Sequence, residues 1–92
     1  VAVGASGTVL TSSDGVGWTR RNSGTEVWLL GVAYGNGQFV AVGASGTVLT
    51  SSDGVGWTRR NSGTDRNLLY GVAYGNGQFV AVGNWGIILT SP

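Results

Sequence analysis

The chain has 92 residues with five Arg, no Lys and four acidic residues, for a formal net charge of +1, which supplies no field to steer nucleic acid or an anionic membrane surface. Cys and His are both absent, which excludes disulfides, thiolate metal sites and imidazole acid–base chemistry. No apolar run approaches the roughly 18 residues a membrane-spanning helix needs, and the opening Val1-Ala2-Val3-Gly4 has no leader character.

Residues Val1 to Thr25 recur letter for letter as Val40 to Thr64, a third copy starts at Val80, and Gly31 to Gly43 recurs as Gly71 to Gly83. The chain is therefore a tandem array with a period of 39 to 40 residues. Near-identical copies imply recent amplification or deliberate symmetrisation, because surface positions such as Thr19 and Thr58 would otherwise have drifted apart.

Taken in order, residues 1–22 carry the last three strands of a four-strand unit. Residues 28–61 carry a complete unit. Its strand A, Leu29 to Tyr34, ends at the hairpin signal Gly35-Asn36-Gly37. Strand B, Gln38 to Gly43, is β-branched and aromatic and closes on Ala44-Ser45-Gly46. Strand C is Thr47 to Ser51, and the turn Ser52 to Gly56 leads into strand D, Trp57 to Arg60. Residues 68–92 repeat strands A, B and C.

No segment places apolar residues at helical spacing without a glycine interrupting it, so the fold class is all-β. Four antiparallel strands every 40 residues is the size of a β-propeller blade. A closed propeller takes at least about four blades, or roughly 160 residues, so this chain is too short to close a ring alone. Strands A and B are apolar on nearly every residue, as when both sheet faces are covered. If the bulky sides Leu30, Val32, Tyr34, Val40 and Val42 share a face, each blade has a large-residue face and a small-residue face, and identical blades pack face to back.

The segments Ser12-Ser13-Asp14-Gly15-Val16-Gly17-Trp18 and Ser51-Ser52-Asp53-Gly54-Val55-Gly56-Trp57 resemble the Asp-box of bacterial-neuraminidase-type propeller repeats. The turn here is one residue shorter than the family pattern, with Gly directly after Asp. The resemblance implies a structural role for Ser12, Asp14, Gly15 and Trp18 and for Ser51, Asp53, Gly54 and Trp57. In the family these boxes join the third and fourth strands of a blade, which is where the strand reading puts them. Physically, the carboxylate accepts backbone N–H groups of the turn and Trp covers it.

A neuraminidase would also need an arginine cluster, a tyrosine with a glutamate partner and an acidic proton donor around a central opening. The arginines Arg20, Arg21, Arg59 and Arg60 fall instead on outermost strand D, as charges guarding an edge. Tyr34 and Tyr74 on strand A are expected to pack between blades. Glu26 is the only glutamate, with Asp65 in a similar loop. Asp14 and Asp53 each offer one carboxylate, short of a cation site. No catalytic residue, metal or cofactor is therefore expected.

The differences between copies cluster at one end of the unit: Glu26-Val27-Trp28 against Asp65-Arg66-Asn67, and Ala44-Ser45 against Asn84-Trp85. This makes Trp28, Arg66 and Trp85 the expected anchors of a ligand-binding loop face. The expected function is a non-enzymatic propeller module that binds carbohydrate or protein. Its partners are further copies of itself or further blades of the same polypeptide, not nucleic acid or membrane. The alternatives are a fragment of a neuraminidase-like hydrolase and a purely structural β assembly.

Overall fold

The computed structural model describes residues 1–91; Pro92, part of the third expected unit, lies outside the described residues. Strands β1 (Ala2–Gly4), β2 (Thr8–Thr11) and β3 (Thr19–Arg21) form a first antiparallel sheet in chain order. Strands β4 (Leu29–Gly35), β5 (Gln38–Gly43), β6 (Val48–Ser51) and β7 (Thr58–Arg60) form a second. The third consists of β8 (Leu69–Gly75), β9 (Gln78–Gly83) and β10 (Ile88–Ser91). The all-β class thus holds, and strand limits agree with the sequence reading to within a residue.

Local chemistry explains the turns. Asn36 and Gly37 have φ of 50° and 77°, and Asn76 and Gly77 of 53° and 79°. Both central residues at positive φ match the right-handed twist of the flanking strands and close a two-residue hairpin. Gly35 then pairs with Gln38, and Gly75 with Gln78.

The sheets stack face to back. Val40 and Val42 of the second sheet, with Ala33 and Val48, pack against Leu69, Val72, Phe79, Ala81 and Leu89 of the third. The other side of the second sheet, through Leu29, Val32, Ala41, Leu49 and Trp57, packs on Val1, Val3 and Val9 of the first. Because Leu69, Val72, Ala81 and Leu89 are the counterparts of Leu29, Val32, Ala41 and Leu49, one packing mode is used twice.

The grouping of bulky side chains is corrected by the register. Val32 pairs with Ala41, and Ala33 with Val40, and residues directly opposite in an antiparallel pair share a face. Val32 therefore lies with Ala41 and Leu49, on the side away from Val40 and Val42. A β-bulge between Leu29 and Gly31 inserts Leu30 and moves Leu29 onto the Val32 side. Each face mixes large and small residues, so that protrusions on one sheet meet gaps on the next.

Glycine makes the closest of these approaches. A Cβ at Gly31 would stand 3.1 Å from the Gly71 Cα, and one at Gly35 would run into the Tyr74 ring. Tyr74 thus packs between sheets as expected. Tyr34 does not: it is 59% exposed, because among the described residues the first sheet has only β1, β2 and β3 and offers its ring no counterpart of β4 to lie on.

Candidate functional site

Antiparallel connectivity sends the links from one sheet to the next, residues 22–28 and 61–68, to the same end as the turns Ala5–Gly7, Ala44–Gly46 and Asn84–Gly86. Hydrogen bonds knit this end together. The Ala44 N–H donates to the Trp28 carbonyl at 2.9 Å, and the Gly46 N–H donates to the Asn67 carbonyl at 2.7 Å. In the first unit the Ser23 hydroxyl donates to the Gly7 carbonyl at 2.7 Å.

Each of the three turns places its middle residue in the left-handed region, with φ of 56° at Ser6, 57° at Ser45 and 58° at Trp85. That conformation is disfavoured for a side chain as large as Trp. Trp85 is nonetheless 84% exposed, so burial of its ring does not offset the strain. The Asn84 side chain anchors the turn, its Oδ1 accepting from the Leu68 N–H and from Asn67 Nδ2, each at 3.1 Å.

Of the three sequence-predicted anchors, Arg66 and Trp85 are exposed and flank the Asn67–Asn84 pair. Trp28 is 59% exposed and stands one unit away, across the Ala44–Gly46 turn. Among the described residues the Trp28 and Trp85 rings make no aromatic contact. The structure thus presents these side chains along one end without gathering them into a single pocket. The strand pairings also make Trp28 the counterpart of Leu68, since Leu29 and Leu69 occupy equivalent places opposite Gly43 and Gly83.

Two clefts open beside the connections, features that sequence reasoning missed. Arg20, Arg21 and Glu26 line one of about 520 Å³ with Ser23 and Thr25. Arg59, Arg60 and Asp65 line its counterpart of about 370 Å³. The arginines lie on β3 and β7, the outer strands, as expected, and the Nε groups of Arg21 and Arg60 each donate to a threonine hydroxyl, Thr11 and Thr50, at 2.9 Å. The same arginines nonetheless line the two clefts beside the connections. Asn67 and Asn84 were missed as well. Their signal was a matched pair of changes, Val27 to Asn67 and Ala44 to Asn84, within the differences between copies at this end.

The serine–aspartate turns lie at the opposite end. Asp14 Oδ1 accepts from the Val16 N–H at 2.8 Å, the Gly17 N–H at 3.2 Å and the Ser12 hydroxyl at 3.1 Å. Asp53 repeats this with Val55, Gly56 and Ser51 at 2.8, 3.1 and 3.2 Å. Ser12 and Ser51 Oγ accept from the Gly15 and Gly54 N–H, and Trp18 and Trp57 Nε1 donate to the carbonyls of Gly15 and Gly54. These donors, the Val16 and Val55 N–H groups foremost, hold both carboxyl groups below their ordinary value. Among the described residues no three metal-ligating side chains gather at one point.

Comparison with protein-family models, curated proteins and solved structures finds no match to this chain.

Proposed function

We propose that the chain is a non-enzymatic, self-assembling module of Asp-box-type β-propeller blades, and that the end bearing Trp28, Arg66 and Trp85 is its ligand surface. The observation that carries the binding face is Trp85. An aromatic side chain held in a left-handed turn and exposed to water costs stability, and such strain persists where it serves recognition. Face-to-back stacking of successive four-strand units supports the blade reading.

A carbohydrate is the ligand class that fits best. Flat indole faces match the apolar faces of sugar rings, and the clefts at the same end, lined by arginine and carboxylate side chains, supply directional partners for hydroxyl groups. A protein surface is the second reading, favoured by the same exposed Trp and Arg. The Asp14 and Asp53 carboxylates are occupied by their own turns, which supports a structural role over a catalytic one.

Glycan-array binding of the unmodified chain against Trp28→Ala and Trp85→Ala tests the face. Loss of binding in both variants is expected, and unchanged binding would show the face to be wrong. Turnover of a fluorogenic sialoside would overturn the non-enzymatic reading. A fibril diffraction pattern in place of discrete particles would favour the purely structural assembly.

A further inference from the structure

Between the second and third sheets lies a cavity of about 160 Å³, walled by Val40, Val48, Thr50, Phe79, Leu89 and Thr90. The corresponding place between the first and second sheets is filled. There Trp57, which leads into β7, packs against the buried cluster of Val9, Leu29, Ala41 and Leu49, its ring centroid 6.5 Å from that of Phe39. Phe79 is the counterpart of Phe39, but among the described residues it has only Tyr74 as an aromatic neighbour.

The edge beside the cavity is incomplete in the same sense. In the other two sheets the outer strand sets an arginine Nε 2.9 Å from a threonine hydroxyl, Arg21 to Thr11 and Arg60 to Thr50. Thr90 of β10 is their counterpart, and among the described residues no arginine reaches it. The free face of the third sheet is also open: Val82 is 43% and Ile88 67% exposed, whereas of their counterparts Val42 and Val9 are fully buried and Val3 and Val48 half-buried.

The first sheet shows the complementary deficit. Among the described residues it has no counterpart of β4, Tyr34 therefore projects into water, and Gly75, on the open face of the third sheet, has nothing within 4 Å where Gly35 carries Tyr74.

We propose that a second copy of the chain fills these places by strand exchange. The Asp14–Asn22 segment of the second copy leaves β2 and adds β3 to the edge of β10. Trp18 then enters the cavity against Phe79, and Arg21 Nε donates to Thr90. The open face of the third sheet meets the second sheet of that second copy, with Val80, Val82 and Ile88 taking the places of its Val1, Val3 and Val9, and with Tyr34 lying on Gly75. The displaced segment is Val1–Ser13, whose repeat, the Val80–Ser91 strands, replaces it and brings β8 along. The packing and pairing that each chain gives up within itself are thus remade between chains, with the Trp18, Tyr34, Val82 and Ile88 burial added.

The inference rests on the self-assembling reading above, and its test separates the two. In the observed sheets Thr11 faces Thr19 and Thr50 faces Thr58, so exchange sets Thr90 opposite Thr19 of the second copy, near enough for a disulfide. The full chain carrying Thr19→Cys and Thr90→Cys is oxidised and its cross-linked peptides are identified by mass. The expected result is covalent multimers joined between positions 19 and 90 of different chains. Monomers only, or links of 19 to 19 or 90 to 90, would overturn the exchange. As a variant with little effect on folding, Gly75→Ala adds a methyl group where the single chain leaves open space. It is expected to weaken assembly about tenfold or more by light scattering, and unchanged assembly would overturn the proposal. A single-chain mass for the unmodified protein would overturn the self-assembling reading too, whereas multimers without the 19-to-90 link would overturn the exchange alone.

Discussion

Asn67 joins two sheets through one residue: its carbonyl accepts from Gly46 N–H of the second sheet's turn at 2.7 Å, while its Nδ2 donates to Asn84 of the third at 3.1 Å. Thr64 Oγ1 donates to Asn67 Oδ1 at 2.6 Å, so the amide is oriented from both sides. Removing the Asn67 side chain takes the acceptor from half-buried Thr64 Oγ1, and removing that of Asn84 takes an acceptor from Asn67 Nδ2 and from the Leu68 N–H. Asn67→Ala and Asn84→Ala should each lower unfolding free energy by about 1 to 2 kcal/mol. Urea titration of both single variants and the double variant should show a sub-additive loss, because the pair shares its bonds.

The buried hydroxyl of Thr47 makes no hydrogen bond among the described residues, although Thr8, at the same position of the first unit, donates to the Ala5 carbonyl at 2.7 Å. An unpaired buried hydroxyl is costly. The third unit already carries Ile87 at this position. Thr47→Val should therefore stabilise the chain by about 1 kcal/mol, read as a higher urea midpoint with unchanged slope.

Gly35→Ala places a methyl group against the Tyr74 ring. Overpacking of this kind costs about 1 to 3 kcal/mol. The Gly35→Ala, Tyr74→Ala double variant should recover part of the loss attributable to the clash, measured by thermal unfolding.

Trp85→Asn relieves the left-handed strain, since Asn tolerates that region, and little burial is lost from a side chain so exposed. A gain of roughly 0.5 to 1 kcal/mol is expected, together with loss of ligand binding. Gain of stability without loss of binding would remove Trp85 from the ligand face.

Because the folded pKa values of Asp14 and Asp53 lie below the ordinary 3.8, the unfolded chain binds more protons in acid. Their contribution to stability is complete above that ordinary value and is lost as pH falls through the lower folded values. Urea midpoints of the unmodified chain should fall as pH drops from about 5 to about 2.5, and Asp14→Asn with Asp53→Asn should flatten that decline.

The strands were legible because each is bounded by glycine-rich punctuation and because successive copies of one unit show the same pattern. Face composition was not: simple alternation cannot show the bulge at Leu30, which moves Leu29 to the opposite side. Tyr34 and Tyr74 occupy identical local sequences yet differ in burial, a difference set by neighbouring sheets. At the turn-rich end, exposed Trp28, Arg66 and Trp85 were readable as departures from the repeat. The Asn67–Asn84 bridge was not, since its meaning depends on two turns 17 residues apart meeting in space.

The left-handed turns of the three units share one backbone shape, with φ within 56° to 58°, whether the middle residue is Ser6, Ser45 or Trp85. Flanking hydrogen bonds and the glycine that follows set that shape, so it is insensitive to the side chain it carries. A chain built this way can exchange the side chain at the tip of each turn one position at a time, unit by unit, while the backbone beneath keeps its shape.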